Sequence, residues 1–508
     1  MARSGINVIR TGTAEKGHMA ASGRVERNRA RANPWPALAL AAALPGCTAL
    51  ESVGNAVGNV VAPPRATPGE AGFVRGFVGG VVAEEPVAAA TARNTLSAGG
   101  TAVDAAVAGA FTLTVTLPSR AGLGGGGACL VFNARRGEAE AVLFPPGARS
   151  GVPAGADRPA AVPLMARGLF ALHTRGNRRP FEELIGPAEG AARFGVEVSG
   201  ALAADLAPVA GPLLSDPWAA QIFSGPGGGP LAAGARLVQP DLAGTLATIR
   251  TAGVGDLHNG ALARRLEEAS AGAGGGLTVP ELRAAVPRVA APLAARAGND
   301  SIAFLPPPAD GGLAAAAAFG ALRGGAAPDA ALVRGLSVTR AFRERGGDPA
   351  ALIAAELPAD PSTPFLPAST GLTVVDREGN AVACAFTMNN LFGTGRVAAG
   401  TGVLLAAAPG VGQVTPPLLA AAIAYNANIR GFRAAAVGSG QAAAPIAVAL
   451  PLARTLAGAN AATAVQGVPD PGRAGLLSCA GYLPGEPNTC TGATDPRGAG
   501  AALGGMAP

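Results

Sequence analysis

The sequence predicts a protein of the α/β class, in which helices and strands both contribute to a large core. Hydrophobic residues make up 49% of the 508 residues and charged residues only 14%, which excludes a disordered or highly charged chain. Strand patterns at 372–375 and 381–388 flank a turn at 376–380, which is typical of a β-hairpin. Residues 88–98 and 102–113 have helix-forming composition, and the glycines at 99 and 100 end the first of these helices.

The net charge of +6 would by itself suggest a nucleic-acid ligand. Much of the excess, however, lies in an N-terminal cluster formed by Arg24, Arg27, Arg29 and Arg31. Aromatic residues, which would stack on bases, are only 4% of the chain. We therefore predict no nucleic-acid partner.

Residues 1–47 have the pattern of a targeting segment. The arginine cluster is followed by an apolar run at 37–44, which is shorter than the roughly 20 residues that a membrane-spanning helix needs. The next residues, Pro45-Gly46-Cys47, complete an arrangement that resembles a bacterial lipoprotein signal, with Cys47 as the lipidated first residue. A plain secretory signal is the alternative, and both place the mature protein in the periplasm or cell envelope, the first with a lipid anchor to the membrane. Residues 48–77 are rich in Pro, Gly and Ala and predict a linker.

The cysteines are assigned by their spacing and surroundings. Cys479 and Cys490 are close in sequence and can form a disulfide in an oxidising compartment. Cys129 and Cys384 lie in apolar strand patterns, and we expect them to be buried thiols. No spacing suggests a zinc or iron–sulfur site, and we predict neither a metal nor a cofactor.

Two adjacent hydroxyl residues, Ser369 and Thr370, precede the first strand of the hairpin. The ordinary interpretation is a turn that caps a strand. The catalytic interpretation requires a base, and an N-terminal residue carries one in its own α-amine, with a pKa of about 8. Cleavage of the bond between Ala368 and Ser369 would create both the nucleophile and its base. That scheme needs no histidine, which fits a chain with only three.

The segment from Ser369, Ser-Thr-Gly-Leu-Thr-Val-Val-Asp, with Gly-Asn-Ala-Val at 379–382, resembles the start of the small subunit of the γ-glutamyltranspeptidases. Residues 99–108, the glycine run at 122–127 and the segment 495–502 resemble further parts of that family, so the resemblance extends from about Val78 to the end. It implies a four-layer αββα sandwich of the N-terminal nucleophile hydrolase type. It also implies a large-subunit-like region at 78–368 and a small-subunit-like region at 369–508.

The resemblance assigns catalytic roles in the small-subunit-like region. Ser369 falls on the family nucleophile, and Thr370 is the second hydroxyl of the same pair. Thr387 falls on a threonine that bonds the nucleophile, and Asn389 falls on an asparagine that contacts the substrate.

A glycine-containing loop supplies the remaining candidates. Residues 437–441, Val-Gly-Ser-Gly-Gln, resemble the family loop whose backbone N–H groups stabilise the oxyanion. Ser439, Gly440 and Gln441 are therefore expected to contact the substrate. Gly440 and Gln441 can donate through the main chain whatever their side chains.

The positions that hold the substrate's amino-acid head group in the family differ in this chain. The family carboxylate that binds the α-amine is replaced within the alanines at 406–408, and the family Ser pair falls on Leu419-Ala420. The family arginine that binds the carboxylate falls on Pro145. Because a buried charge needs a partner, recognition of a γ-glutamyl group by the family's own contacts is not expected.

Together these patterns predict a self-processing enzyme related to γ-glutamyltransferases and hydrolases. It would cleave a γ-glutamyl or related amide bond in a small-molecule or peptide substrate, with its large and small fragments remaining partners. One alternative is a non-catalytic envelope lipoprotein that retains the fold. Another is an acylase of the same fold that acts on a different substrate.

Overall fold

A computed structural model describes residues 76–149, 151–359, 367–411 and 414–504. They belong to one compact unit, Arg65–Pro508. The predicted signal segment at 1–47, with Cys47, and residues 48–75 of the predicted linker lie outside the described residues. Within the described ranges, no helix combines the length and the apolar character needed to cross a membrane.

The strands form two large antiparallel sheets and two small two-stranded ones. In chain order they are β1 (Gly79–Ala83), β2 (Gly126–Asn133), β3 (Glu138–Phe144), β4 (Val196–Glu197), β5 (Arg236–Leu237), β6 (Arg288–Ala290), β7 (Leu293–Ala297), β8 (Asp300–Phe304), β9 (Pro367–Asp376), β10 (Ala381–Asn390), β11 (Val397–Ala398), β12 (Val403–Leu404), β13 (Ala420–Asn426), β14 (Gly431–Ser439), β15 (Arg473–Leu483), β16 (Cys490–Thr494) and β17 (Ala501–Gly504). The first sheet has the order β17-β1-β9-β10-β2-β3-β6, and the second has the order β16-β15-β14-β13-β8-β7. Each sheet contains strands from both sides of Ser369.

The helices cover the outer faces of the sheets. In chain order they are α1 (Pro86–Ser97), α2 (Ala102–Thr116), α3 (Pro118–Ala121), α4 (Met165–His173), α5 (Phe181–Phe194), α6 (Gly200–Leu214), α7 (Pro217–Phe223), α8 (Pro240–Ala252), α9 (Gly255–Asn259), α10 (Ala261–Gly272), α11 (Val279–Ala284), α12 (Gly311–Arg323), α13 (Pro328–Arg345), α14 (Pro349–Ala354), α15 (Ala444–Leu456) and α16 (Ala461–Ala464). Short 3-10 turns lie at Gln441–Ala443 and Pro487–Thr489.

Three apolar layers hold the elements together, because strand side chains alternate between the two faces of a sheet. The layer between the sheets contains Val82 and Val437. Leu372 and Val374 face the opposite way and pack with α1 and α2. On the far side of the second sheet, Leu476 packs with α12 and α15. The resulting arrangement has the αββα layers that the sequence predicts.

Local signals in the sequence account for the hairpin and the first two helices. The hairpin of β9 and β10 forms as predicted. Helix α2 begins with a capping box, in which Thr101 and Asp104 each accept the other's backbone N–H through their side chains. The Asp376 carboxylate in the hairpin turn accepts the Ala102 N–H at 3.0 Å. This contact joins the turn to the start of α2.

The glycine run at 122–127 allows backbone segments to pack closely, since glycine has no Cβ atom. A Cβ atom on Gly124 would lie 2.1 Å from the Leu404 carbonyl oxygen. One on Gly125 would lie 2.3 Å from the Thr387 carbonyl oxygen. Any side chain at these positions would force the backbone segments apart, so glycine is required here.

Two disulfides are present, and one of them corrects the sequence-based expectation. Cys479 and Cys490 are bonded, as predicted. Cys129 and Cys384 are also bonded, so the expectation that they are buried thiols is wrong. They are directly opposite each other on β2 and β10, where cross-strand side chains come into contact. The two cysteines are 255 residues apart in the chain, so their positions in the sequence do not show that they are neighbours.

His258 provides a pH-dependent contribution to stability. Its Nδ1 lies 3.1 Å from the Leu282 carbonyl oxygen, and its side chain is fully buried. Burial, reinforced by the Arg167 guanidinium and opposed by the Leu282 hydrogen bond, lowers the pKa of His258 to about 4. Below the unfolded-state pKa near 6.5, the unfolded chain binds a proton that the folded chain does not. The folded protein therefore loses stability as pH falls from 6.5 towards 4.

We predict that this group alone lowers the free energy of unfolding by about 2 kcal/mol between pH 7 and pH 5. Urea unfolding of the wild type and of His258→Leu at both pH values measures the effect. The variant should lose less stability than the wild type on acidification, whatever its stability at pH 7. Equal losses in the two proteins would contradict the prediction.

Candidate active site

Ser369 lies in β9, between β1 and β10 of the first sheet. It is opposite Thr387 in the pairing of β9 with β10 and is only 4% exposed. No residue that the structure describes forms a hydrogen bond with its hydroxyl. The sequence-predicted nucleophile is thus held in a buried strand, next to the predicted Thr387.

Thr387 holds the carbonyl group that precedes Ser369. Its Oγ1 donates a hydrogen bond to the Ala368 carbonyl oxygen at 2.5 Å. Thr387 Oγ1 also accepts a hydrogen bond from the Asn389 backbone N–H, at 2.8 Å. The ladder is irregular between Thr387 and Asn389, which re-aims side chains locally. Thr387 is therefore placed to polarise the bond between Ala368 and Ser369.

Asn389 is next to this carbonyl, but its amide nitrogen is already used. Its Nδ2 donates to the Ala407 carbonyl oxygen at 2.7 Å, and its backbone has a φ of 64°. Asparagine is among the few non-glycine residues that adopt this region of φ readily. Asn389 therefore fixes the segment at Ala407, beside the start of β9.

The Thr370 hydroxyl contacts a different group. Thr370 is fully buried, and its Oγ1 lies 3.3 Å from the Glu84 carboxylate, to which it donates. Glu84 directly follows β1, the other neighbour of β9. Sequence reasoning missed Glu84, because its contact with Thr370 joins residues 286 positions apart and leaves no local pattern.

Glu84 is part of a charge network at the base of the site. Arg120 donates to Glu84 at 3.1 Å and to both oxygens of Asp205 at 2.6 and 2.7 Å. The Ser119 hydroxyl also donates to Asp205, at 2.7 Å. Two carboxylates thus share one guanidinium, and the bidentate bond gives Arg120 a fixed orientation.

The pKa values in this network follow from burial and charge. Burial raises the pKa of Glu84 above its usual range, against the opposing effects of Arg120 and of the Ser439 and Thr370 hydroxyls. Burial disfavours the charged form of Arg120, but Asp205 and Glu84 outweigh it and raise the pKa of this guanidinium. Arg120 is therefore a permanent cation beside a carboxyl group that protonates more readily than usual.

The predicted oxyanion loop begins where β14 ends, at Ser439. Gly440 has a φ of 100° and Gln441 a φ of 58°. A Cβ on Gly440 would lie 2.2 Å from the Pro471 carbonyl oxygen, so only glycine fits. In the described part of the chain, the N–H groups of Gly440 and Gln441 donate no hydrogen bond, which leaves both available to an acyl oxygen.

The packing of the two sheets brings this loop towards Ser369. A Cβ on Gly371 would lie 2.6 Å from the Val437 Cβ, so glycine allows β9 and β14 to approach closely. Ser369 is two residues from Gly371 and Ser439 is two residues from Val437, so both serines share the inner faces of the sheets. Strand β9 also contacts the 3-10 turn that follows Gly440. The structure thus brings all seven predicted catalytic and substrate-contacting residues into one region.

A cavity of about 350 Å³ adjoins the start of β9. Its wall includes Asn390, which pairs with Pro367, and the small apolar residues Ala407, Ala408 and Val411. The alanines that replace the family's head-group carboxylate therefore line this cavity. The charged residues Asp157 and Arg158 also line it.

A larger cavity, of about 720 Å³, is less informative. It is lined by Trp218, Arg265 and Arg396 and shares Arg158 with the cavity near β9. None of the seven predicted catalytic and substrate-contacting residues lines either cavity, and only the smaller one includes a residue that pairs with the start of β9. Across the described ranges, no cluster of three or more His, Cys, Asp or Glu side chains could hold a metal ion.

Comparisons of sequence identify relatives of the chain. A family model described as Gamma-glutamyltranspeptidase matches residues 88–331. The glutathione hydrolase proenzyme of Escherichia coli (strain K12) is 28% identical over 405 residues, which covers 67% of this chain and 69% of that protein. The Acylase ACY 1 proenzyme of Pseudomonas sp. (strain V22) is 30% identical over 384 residues, which covers 64% of this chain and 68% of that protein.

Comparison of structures supports the fold assignment. The crystal structure of cephalosporin acylase from Bacillus halodurans superposes with a TM-score of 0.67 at 19% identity, covering 87% of this chain and 98% of that chain. At this identity the likeness concerns the fold alone, and it confirms the predicted layered fold of helices and sheets. With the family model and the two proenzymes, it establishes that this chain is a divergent member of the γ-glutamyltranspeptidase family.

Proposed function

We propose that the chain is a self-processing amidohydrolase or acyltransferase whose nucleophile is Ser369. The observation that carries the proposal is the hydrogen bond from Thr387 to the Ala368 carbonyl, next to a loop with two free N–H groups. Its family relatives include proenzymes named as a glutathione hydrolase and an acylase. Cleavage of an amide bond is the chemistry that these relatives share.

Maturation would begin with attack of the Ser369 oxygen on the Ala368 carbonyl carbon. The bond from this carbon to the Ser369 nitrogen breaks, and the hydroxyl proton passes to the nitrogen, which becomes an amine. Water then hydrolyses the resulting ester and separates the two fragments. The Thr387 hydrogen bond stabilises negative charge that develops on the Ala368 oxygen.

In the mature form, the freed α-amine of Ser369 would remove the proton from its own hydroxyl. The oxygen then attacks the substrate carbonyl, and the N–H groups of Gly440 and Gln441 stabilise the tetrahedral oxyanion. The amine passes the proton to the leaving nitrogen. Water, or a second amine, releases the acyl group from Ser369.

A specific observation favours an acylase as the second candidate. The cavity beside β9 has alanine walls at Ala407 and Ala408, where the family places a carboxylate. Asp157 also lines this cavity, but both of its oxygens are bonded by Arg396. An α-ammonium group beside Ala407 and Ala408 would therefore have to compete with Arg396 for an anionic partner, at a cost in desolvation. An acyl group without an amino-acid head carries no such charge and would not incur this desolvation cost.

Export to the periplasm or cell envelope, with Cys47 as a lipid anchor, is part of the proposal. It rests on the sequence pattern of residues 1–47 and is supported by the two disulfides, which form in oxidising compartments.

The first prediction concerns processing. The bond between Cys129 and Cys384 spans the proposed cleavage point. The purified wild type should therefore give two fragments under reducing conditions and a single band under non-reducing conditions. Electrophoresis with both sample treatments, and mass spectrometry of the fragment that begins at Ser369, measure this.

Two variants control the gel experiment. Ser369→Ala should give one band in both treatments. A variant with both Cys129→Ala and Cys384→Ala should give two bands in both. An uncut wild-type chain under reducing conditions would contradict self-processing and favour the non-catalytic envelope protein.

A second prediction tests whether maturation needs the hydroxyl of Thr387 and not only the volume of its side chain. Thr387→Val keeps the volume but removes the donor to the Ala368 carbonyl, so fragments should form roughly 100-fold more slowly. Thr387→Ser keeps the hydroxyl and should mature within about fivefold of the wild type. A time course of newly synthesised protein on reducing gels measures both rates. Because Val also leaves the Asn389 N–H unpaired, its folding is checked by circular dichroism.

A third prediction concerns the acyl group. The mature protein is assayed with γ-glutamyl-p-nitroanilide and with butyryl-p-nitroanilide, which lacks the amino-acid head. The alanine-lined cavity predicts a higher kcat/KM for the butyryl compound, by about tenfold or more from the unpaired charges. A preference for the γ-glutamyl compound would contradict the acylase candidate and restore the γ-glutamyl assignment.

A further inference from the structure

Two buried polar atoms beside the proposed site have no hydrogen-bond partner among the described residues. They are Oε1 of Glu84 and Oγ of Ser439. Buried polar groups in native proteins are almost always paired, so each exception requires an explanation. The groups that carry these atoms lie at the ends of facing strands of the two sheets. A Cβ on Gly475 would lie 2.9 Å from the Val82 side chain and 3.1 Å from the Val437 side chain, and Glu84 and Ser439 are each two residues beyond these valines, on the same inner side.

Glu84 has one oxygen in use and one free. Its Oε2 accepts from Arg120 at 3.1 Å and from the Thr370 hydroxyl at 3.3 Å. Because Thr370 directly follows Ser369, this oxygen is connected to the strand that carries the nucleophile. The other oxygen, Oε1, is the one without a partner.

Ser439 is connected to the opposite half of the site. It is fully buried and is the last residue of β14, immediately before Gly440 with its φ of 100°. The position of the Ser439 side chain therefore affects the direction of the next N–H group. A group that held Ser439 would hold the proposed oxyanion donor.

We propose that a hydrogen bond between Glu84 and Ser439 forms in the mature protein and fixes the Gly440 loop against the strand of Ser369. This inference rests on the proposed function. In the continuous chain, the Thr387 hydroxyl binds the carbonyl group of Ala368, which is bonded to Ser369. Cleavage before Ser369 removes this restraint on β9, so the strand and the Gly440 loop that packs on it can adjust until the Ser439 hydroxyl reaches Oε1 of Glu84, whose carboxylate is held by Arg120.

Glu84 is then a positioning residue, since it acts through Thr370 and Ser439 and not on the substrate. Arg120, itself held by both oxygens of Asp205, keeps the carboxylate in place. The alternative is a purely structural role, in which Glu84 only balances the charge of Arg120. In that case Ser439 would have no part in it.

A double-mutant cycle on kcat distinguishes the two roles. Wild type, Glu84→Ala, Ser439→Ala and the double variant are compared on the better of the two p-nitroanilides. Each single change should lower kcat about tenfold and leave KM within about twofold, because the oxyanion donor acts in the transition state. The double variant should be no slower than the slower single variant. Independent losses, about 100-fold in the double variant, would overturn the inference.

Two further variants keep the test decisive. Thr455→Val removes another buried hydroxyl that has no partner, on α15 and away from the loop, and should keep kcat within about twofold. If Glu84→Ala does not fold, Ser439→Ala is judged against this control, and equal kcat values in the two would overturn the inference.

Glu84→Gln keeps a hydrogen-bonding side chain and should recover at least a third of the wild-type kcat. A glutamine variant as slow as the alanine variant would overturn the inference.

The same experiment separates this inference from the function on which it rests. A wild-type protein that is uncut and inactive on both anilides removes the proposed function, and the positioning role with it. An active wild-type protein with additive losses removes the positioning role alone.

Discussion

The pairing of β9 between β1 and β10 is the interaction on which the rest of the site depends. On one side, the register places Ser369 opposite Thr387, whose hydroxyl holds the preceding carbonyl. On the other side, β1 ends next to Glu84, whose carboxylate reaches Thr370. A shift of one residue would move Ser369 to the helix-covered face of the sheet. Gly371 prevents that shift, because a Cβ atom at its position would lie 2.6 Å from the Val437 Cβ and neither neighbouring residue could take its place.

The sequence predicts the features that depend on neighbouring residues. The hairpin of β9 and β10, helices α1 and α2, and the close packing of the glycine run all follow from patterns a few residues long. The disulfide of Cys129 with Cys384 and the contacts of Arg120 depend on chain segments that meet only after folding. Arg120 is 85 residues from Asp205 and 36 from Glu84. A local sequence pattern does not reveal contacts between residues this far apart in the chain. Reasoning from local patterns therefore missed the network of Glu84, Arg120 and Asp205.

The two regions that meet at Ser369 are not independent folding units. Both large sheets take strands from each region, and β9 of one region lies between β1 and β10, whose other neighbour is β2. Cleavage at Ser369 would leave two chains that share every layer of the core. The Cys129–Cys384 bond makes their association intramolecular, so it avoids the loss of translational and rotational freedom that separate fragments would incur. The sandwich can therefore survive a break within β9.

In the proposed site, bond cleavage would depend largely on main-chain groups, whereas substrate recognition would depend on side chains. The proposed oxyanion donors are main-chain N–H groups at Gly440 and Gln441, which survive almost any side-chain change that keeps the positive φ of the loop. The head-group contacts of the family are side chains, and single substitutions remove them. At 406–408 the chain has alanines, and Ala407 now accepts the Asn389 amide through its own carbonyl. The substrate can therefore change through a few side chains, while the strand, the threonine and the loop that would perform the chemistry stay in place.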